Sequence, residues 1–68
     1  MKLKCNMSDL MGKSKMSIQD VCNRTGLARN TVAKLYHETA SRVDYETIVK
    51  LCTLFDVSVG DLFEIINE

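Results

Sequence analysis

Apolar side chains recur at intervals of three and four along most of this chain, the spacing that lines one face of a helix. Met7, Leu10 and Met11 form the first such set, with Ser14 one turn further on. Ile18, Val21 and Cys22, followed by Thr25, form the second. Val32, Leu35 and Tyr36 form the third, and Ile48, Leu51, Cys52 and Phe55 the fourth. Val59, Leu62, Phe63 and Ile66 repeat the spacing near the C-terminus. Five amphipathic helices are predicted, each with one face to bury, and a compact all-α, five-helix domain is the expected fold. Met1–Cys5 alternates apolar and basic residues, which predicts a short N-terminal strand or arm. A lone strand has nothing to pair with, so an arm, or an edge that pairs with another chain, is expected there. The division is then residues 1–5 for the arm and 6–66 for the domain.

The helix starts are marked as clearly as the faces. Ser17 precedes the second helix with Asp20 three positions on, Ser58 and Asp61 repeat the arrangement before the fifth, and Asp44 stands ahead of the fourth. A serine or aspartate oxygen at such a position accepts from an amide that otherwise lacks a partner, worth about 1 kcal/mol. An apolar residue sits just before each cap and another four positions into the helix: Met16 with Val21, Val43 with Ile48, Val57 with Leu62. Such pairs staple the entering chain to the first turn. Gly26 ends the second helix, where a left-handed residue is common.

Length sharpens this picture. A chain of 68 residues is one domain with a modest core. It holds no proline and three glycines, which suits helices joined by short corners. The opening residues lack the apolar core of a signal peptide. No apolar run approaches the ~20 residues that span a membrane, so a cytoplasmic protein with no membrane contact is expected. Cys5, Cys22 and Cys52 are odd in number and widely spaced, which fits neither a disulfide framework nor a zinc site. Cys22 and Cys52 fall on apolar helix faces and read as small hydrophobes.

Charge changes the picture more. The formal net charge is zero, but residues 1–42 carry eight basic against three acidic side chains and residues 43–68 carry one against six, a net +5 facing a net −5. A basic half and an acidic half suggest one surface for phosphates and another turned away from them.

The segment Arg24-Thr25-Gly26-Leu27-Ala28-Arg29-Asn30-Thr31-Val32 lies where the second helix meets the third. Cys22 is small and lets the two helices approach. Gly26 permits a sharp turn, Leu27 can plug the angle, and Val32 and Leu35 anchor the third helix. These are the needs of a helix-turn-helix. At about 100° per residue, Val32, Leu35 and Tyr36 point inward, while Asn30, Ala33, Lys34 and His37 point outward and Arg29 stands to one side at the start. The face has no acid before Glu38. Arg29 has the fork to grip guanine O6 and N7, and Asn30 the amide to pair with adenine N6 and N7. Lys34 reaches a base or a phosphate, the Thr31 methyl suits a thymine methyl, and Lys13 and Lys15 are candidates for phosphates. Tyr36 and Tyr45 read as packing side chains. Neither a nucleophile with a base, nor paired carboxylates, nor a phosphate-cradling glycine loop is present, and no enzyme activity, cofactor, metal or small-molecule substrate is expected.

Residues 17–32, Ser17 to Val32, resemble the helix-turn-helix of the Cro/cI (Xre-like) repressor family. Residues 44–63, Asp44 to Phe63, resemble that family's fourth and fifth helices. The likeness spans roughly residues 6–66. It implies a lambda-repressor-like domain that binds operator DNA and regulates transcription, with Arg29 and Asn30 the first base readers and Gln19 and His37 on phosphates. Two positions depart from the family. Ile18 stands where a glutamine often braces a base-reading side chain, which leaves the brace absent or shifted to Gln19. Ala28 stands where the recognition helix usually has a hydroxylated cap.

One recognition helix reads few base pairs, so a homodimer on a palindromic double-stranded operator is expected. Two dimer surfaces are candidates: the C-terminal segment with Phe63, Ile65 and Ile66, and the N-terminal arm. Phe63 and Ile66 serve equally as core. The zero net charge keeps a second function open, a module of the same fold that binds protein and not DNA, such as an antitoxin-like or anti-repressor domain.

Overall fold

The structure, a computed structural model describing residues 1–67, runs β1 (Lys2–Cys5), α1 (Met7–Ser14), α2 (Ile18–Thr25), α3 (Arg29–Tyr36), α4 (Tyr45–Phe55), α5 (Val59–Leu62) and β2 (Phe63–Ile66). The helical faces meet at one place. Met7, Val21, Val32, Leu51 and Leu62 are the largest fully buried side chains, and each comes from a different helix. Cys5, Met11, Cys22 and Leu35 are buried beside them. Leu10, Met16, Ile18, Leu27, Val43 and Phe55 pack half-buried around that cluster. Full burial of an aliphatic side chain contributes roughly 1.5–3 kcal/mol, so this cluster is the main source of stability in so short a chain.

The caps form as the serine and aspartate positions predict. Ser17 Oγ accepts from the Asp20 amide at 3.1 Å, and Asp20 Oδ2 accepts from the Ser17 amide at 2.9 Å. Ser58 and Asp61 make the same reciprocal pair at the start of α5. Asp44 Oδ1 accepts from the Thr47 amide at 2.9 Å at the start of α4. Asn6, ahead of α1, does different work. Its amide donates to the Leu62 carbonyl at 2.8 Å, and its Nδ2 donates to the Asp61 carbonyl at 3.1 Å. The start of α1 is thereby tied to the end of α5.

The N-terminal strand forms, but its partner is not another chain. β1 pairs antiparallel with β2 in the register Lys2↔Ile66, Leu3↔Ile65, Lys4↔Glu64 and Cys5↔Phe63. The fifth helix correspondingly stops at Leu62, and Phe63 is extended at φ −125°, ψ 142°. A short run such as Phe63-Glu64-Ile65-Ile66 fits a period of two as well as one of 3.6. The unpaired backbone of β1 decides between them, because it offers β2 a ladder that a lengthened α5 would forgo. Leu3, Cys5, Phe63 and Ile65 share one face of this sheet by alternation. Cys5 is buried there, Phe63 is half-buried, and Leu3 and Ile65 project past the core. Burial also pushes the Cys5 thiol pKa up.

Tyr45 does not pack as its helical spacing suggested; it is 89% exposed. The buried stripe of α4 centres on Leu51 and takes in Thr47, and Tyr45 lies about 120° around the helix from Leu51. Tyr36 is partly covered, and its ring meets that of His37 edge-on at 5.1 Å.

Two predictions concern the caps. The Asp20 carboxyl is held below the ordinary 3.8 of an aspartate by the Ser17 backbone and hydroxyl, and the Asp44 carboxyl by the Thr47 side chain and backbone. Each is more acidic folded than unfolded. Their contribution is therefore present above pH 3.8 and lost as pH falls through the lower folded values. Thermal melts taken stepwise through that range should show the melting temperature falling, and falling less in a D20N/D44N variant. Ala28, at the N-cap of α3, is extended at φ −65°, ψ 143° and makes no side-chain cap. Ala28→Ser should supply one, raising stability by about 1 kcal/mol, or roughly 4–8 °C of melting temperature in a domain of this size.

Candidate nucleic-acid interface

The corner between α2 and α3 is built from a few contacts. Gly26 takes φ 76° and its amide donates to the Cys22 carbonyl at 2.9 Å. A Cβ at Gly26 would meet nothing within 4 Å, so the left-handed backbone, not space, is what requires glycine. Thr25 Oγ1 donates to the Val21 carbonyl at 2.7 Å and accepts from the Leu27 amide at 3.2 Å. Leu27 is half-buried against the core, and Cys22, Val32 and Leu35 are buried where the two helices meet.

α3 then presents its other side outward. Arg29, Asn30, Lys34 and His37 are exposed, while Thr31 and Ala33 are half-buried. Arg29 is not a free side chain. Its Nη1 donates to Gln19 Oε1 at 2.9 Å, and Gln19 Nε2 donates to Asn23 Oδ1 at 2.9 Å. The brace thus sits one residue after Ile18, which is half-buried against the core and cannot supply it. The polarity of this chain follows from Arg29, since a guanidinium only donates and the glutamine must offer its oxygen.

On the other flank of α3, Thr31 and Lys34 line a groove with Arg42, Asp44 and Thr47. Arg42 belongs to the basic half of the sequence, which does not fix its place. It lies in an irregular loop, where no periodicity tells which way a side chain faces. Lys15 is exposed at the end of α1, in the left-handed conformation with φ 56°. Lys13 lies elsewhere, in a groove shared with Lys4, Asp9, Asp61 and Glu64. The groove that holds Gln19 and Arg29 takes in Met16, Ser17 and Tyr36 and neither lysine.

The electrostatics of the face are simple. Glu38, the first acid after α3, accepts the Cys5 amide through Oε1 at 3.1 Å and is thereby engaged with β1. Among the described residues, Arg29, Lys34 and Arg42 have no carboxylate partner; the ion pair Lys50–Glu46, at 2.9 Å, lies on α4. Lys34 and Arg42, exposed and without a carboxylate partner, and Arg29, held by Gln19, make this side of the domain basic.

Comparison with known proteins agrees with this geometry. No curated protein matches the sequence. Among solved structures, one from Bacteroides fragilis, described as that of a candidate DNA-binding protein, superposes with a TM-score of 0.78 at 13% identity, covering 93% of this chain and 100% of its own. At that identity the likeness is one of fold. The family model of the Cro/C1-type HTH DNA-binding domain matches residues 3–68. That match runs from within β1 through β2, and with the capped α2, the glycine corner and the outward face of α3 it identifies the chain as a member of the Cro/C1-type helix-turn-helix DNA-binding domain family.

Proposed function

We propose that this domain is a sequence-specific transcriptional regulator, a cytoplasmic repressor that lays α3 in the major groove of an operator. The observation that carries the reading is Arg29 held by Gln19 on a face of α3 that has no acid of its own. A guanidinium fixed before binding loses less freedom on meeting guanine O6 and N7 than a free one would. Asn30 follows on adenine, the Thr31 methyl packs on a thymine methyl, and Lys34 reaches a base or the adjoining phosphate. Gln19, His37 and Lys15 serve the phosphate backbone, with Arg42 joining Lys34 on its side of the groove, while Lys13, set among Asp9, Asp61 and Glu64, is left off this surface. Phosphate contacts set register and base contacts set sequence.

A homodimer completes the reading. Two copies related by a two-fold axis place their recognition helices about 34 Å apart, on half-sites of a palindrome. The surface we assign to the second copy is the projecting end of the sheet, where Leu3 and Ile65 are paired across the strands and stand 55% and 65% exposed.

Selection from random duplexes should recover inverted repeats with half-sites about 10 base pairs apart, bound with an affinity that drops steeply as salt rises. Recovery of no duplex, or affinity insensitive to salt, would favour the protein-binding alternative. Arg29→Ala with Asn30→Ala should abolish sequence preference while leaving the helical spectrum and melting intact; retained operator binding would show that another element reads the DNA. Ile65→Lys should leave a monomer by sedimentation that binds single half-sites weakly; a dimer that persists would move the interface away from the sheet.

A further inference from the structure

The geometry points to Asn23 as a specificity-determining residue that never touches a base: we infer that it positions Arg29 through Gln19. This rests on the reading of Arg29 as a base reader. The warrant is a chain of two hydrogen bonds on the surface of α2 and α3. Arg29 Nη1 donates to Gln19 Oε1 at 2.9 Å, and Gln19 Nε2 donates to Asn23 Oδ1 at 2.9 Å.

Asn23 follows Gln19 by one helical turn, so the two side chains lie on the same strip of α2. All three residues are exposed. An exposed glutamine held at one end alone keeps rotamers that carry its amide away from the arginine, and ordering such a side chain is entropically costly. Asn23 removes that freedom by anchoring the far end of the amide. The order of donors and acceptors then runs one way only. Arg29 donates, Gln19 accepts and donates, Asn23 accepts. Reversal of the glutamine amide would set its NH2 against a guanidinium, donor against donor.

The consequence for recognition is directional. With one Nη1 N–H engaged by Gln19, the four remaining N–H groups, on Nε, Nη2 and Nη1, are held in a fixed orientation to meet a base. A guanidinium held in one pose presents a fixed fork, and a fixed fork discriminates guanine from other bases better than a mobile one. Asn23 therefore contributes to discrimination more than to total affinity. A residue that merely contacts a phosphate has the opposite signature, an equal loss for every sequence and a shallower salt dependence.

The test measures the ratio of affinities for the selected site and for a site with the Arg29-facing base pair replaced. It compares wild type with Asn23→Leu, Asn23→Asp, Gln19→Leu and the Asn23→Leu/Gln19→Leu pair. Asn23→Leu should lower the ratio by about tenfold, within the range a bidentate base contact commands. Asn23→Asp keeps an acceptor and should retain the ratio, even though its charge lowers affinity for all DNA. Asn23→Leu should cost nothing further in the Gln19→Leu background. In the free protein, NMR should show the Gln19 side-chain amide and the Arg29 guanidinium losing their ordered signals in Asn23→Leu. An unchanged ratio with unchanged signals overturns the inference, and so does an equal loss for all sequences with a salt slope reduced by about one. Arg29→Ala separates the two levels. If it abolishes discrimination while Asn23→Leu does not, the relay alone is wrong; if it leaves discrimination intact, the reading of Arg29 falls and the relay with it.

Discussion

Five side chains, one from each helix, meet in the centre of this domain, and every other feature is arranged around that meeting. Met7, Val21, Val32, Leu51 and Leu62 leave no solvent between them. Each helix contributes one of them to a single shared cluster. A domain this small has no second layer to absorb a loss, so truncating any of the five both opens a cavity and frees an element. The angle between α2 and α3, on which DNA reading depends, is set on its inner side by Val21 and Val32 and on its outer side by Leu27.

The exposed side of those helices answers to a different constraint. Gln19, Asn23 and Arg29 form an ordered line of donors and acceptors where side chains are usually free. Glu38 is kept engaged with the Cys5 amide, 33 residues away in sequence. Both arrangements act on the outward side of α3, one holding Arg29 in place and the other engaging the nearest acid. The acids are divided: Asp44 shares the groove of Lys34 and Arg42, while Asp9, Asp61 and Glu64 share another with Lys4 and Lys13.

What was legible in the sequence was whatever is local. The serine and aspartate caps and the glycine corner depend on residues within one turn of each other and appear in the structure where spacing puts them, whereas Val59 and Tyr36, read on buried helical faces, are exposed. What was illegible depends on distant partners. Phe63–Ile66 satisfies two periodicities, and only β1, some sixty positions earlier, tips it into a strand. Tyr45 belongs to a helical pattern, but the centre of the buried stripe is fixed by Thr47 and Leu51 facing other helices. The exposure of Arg29 and Asn30 follows from the geometry of α3 alone. The places of Asn23 and Arg42 do not, because one meets Arg29 only through Gln19 and the other sits in a loop.

The sheet that joins the first element to the last also governs when this domain can exist. Lys2 pairs with Ile66, and Asn6 pairs with Leu62. A ribosome delivers the chain from its N-terminus at about 5–20 residues per second. Until α5 and β2 have emerged, β1 has no ladder, α1 has no anchor for Asn6, and the central cluster lacks Leu62. The nascent chain therefore gains little by folding before α5 and β2 have emerged.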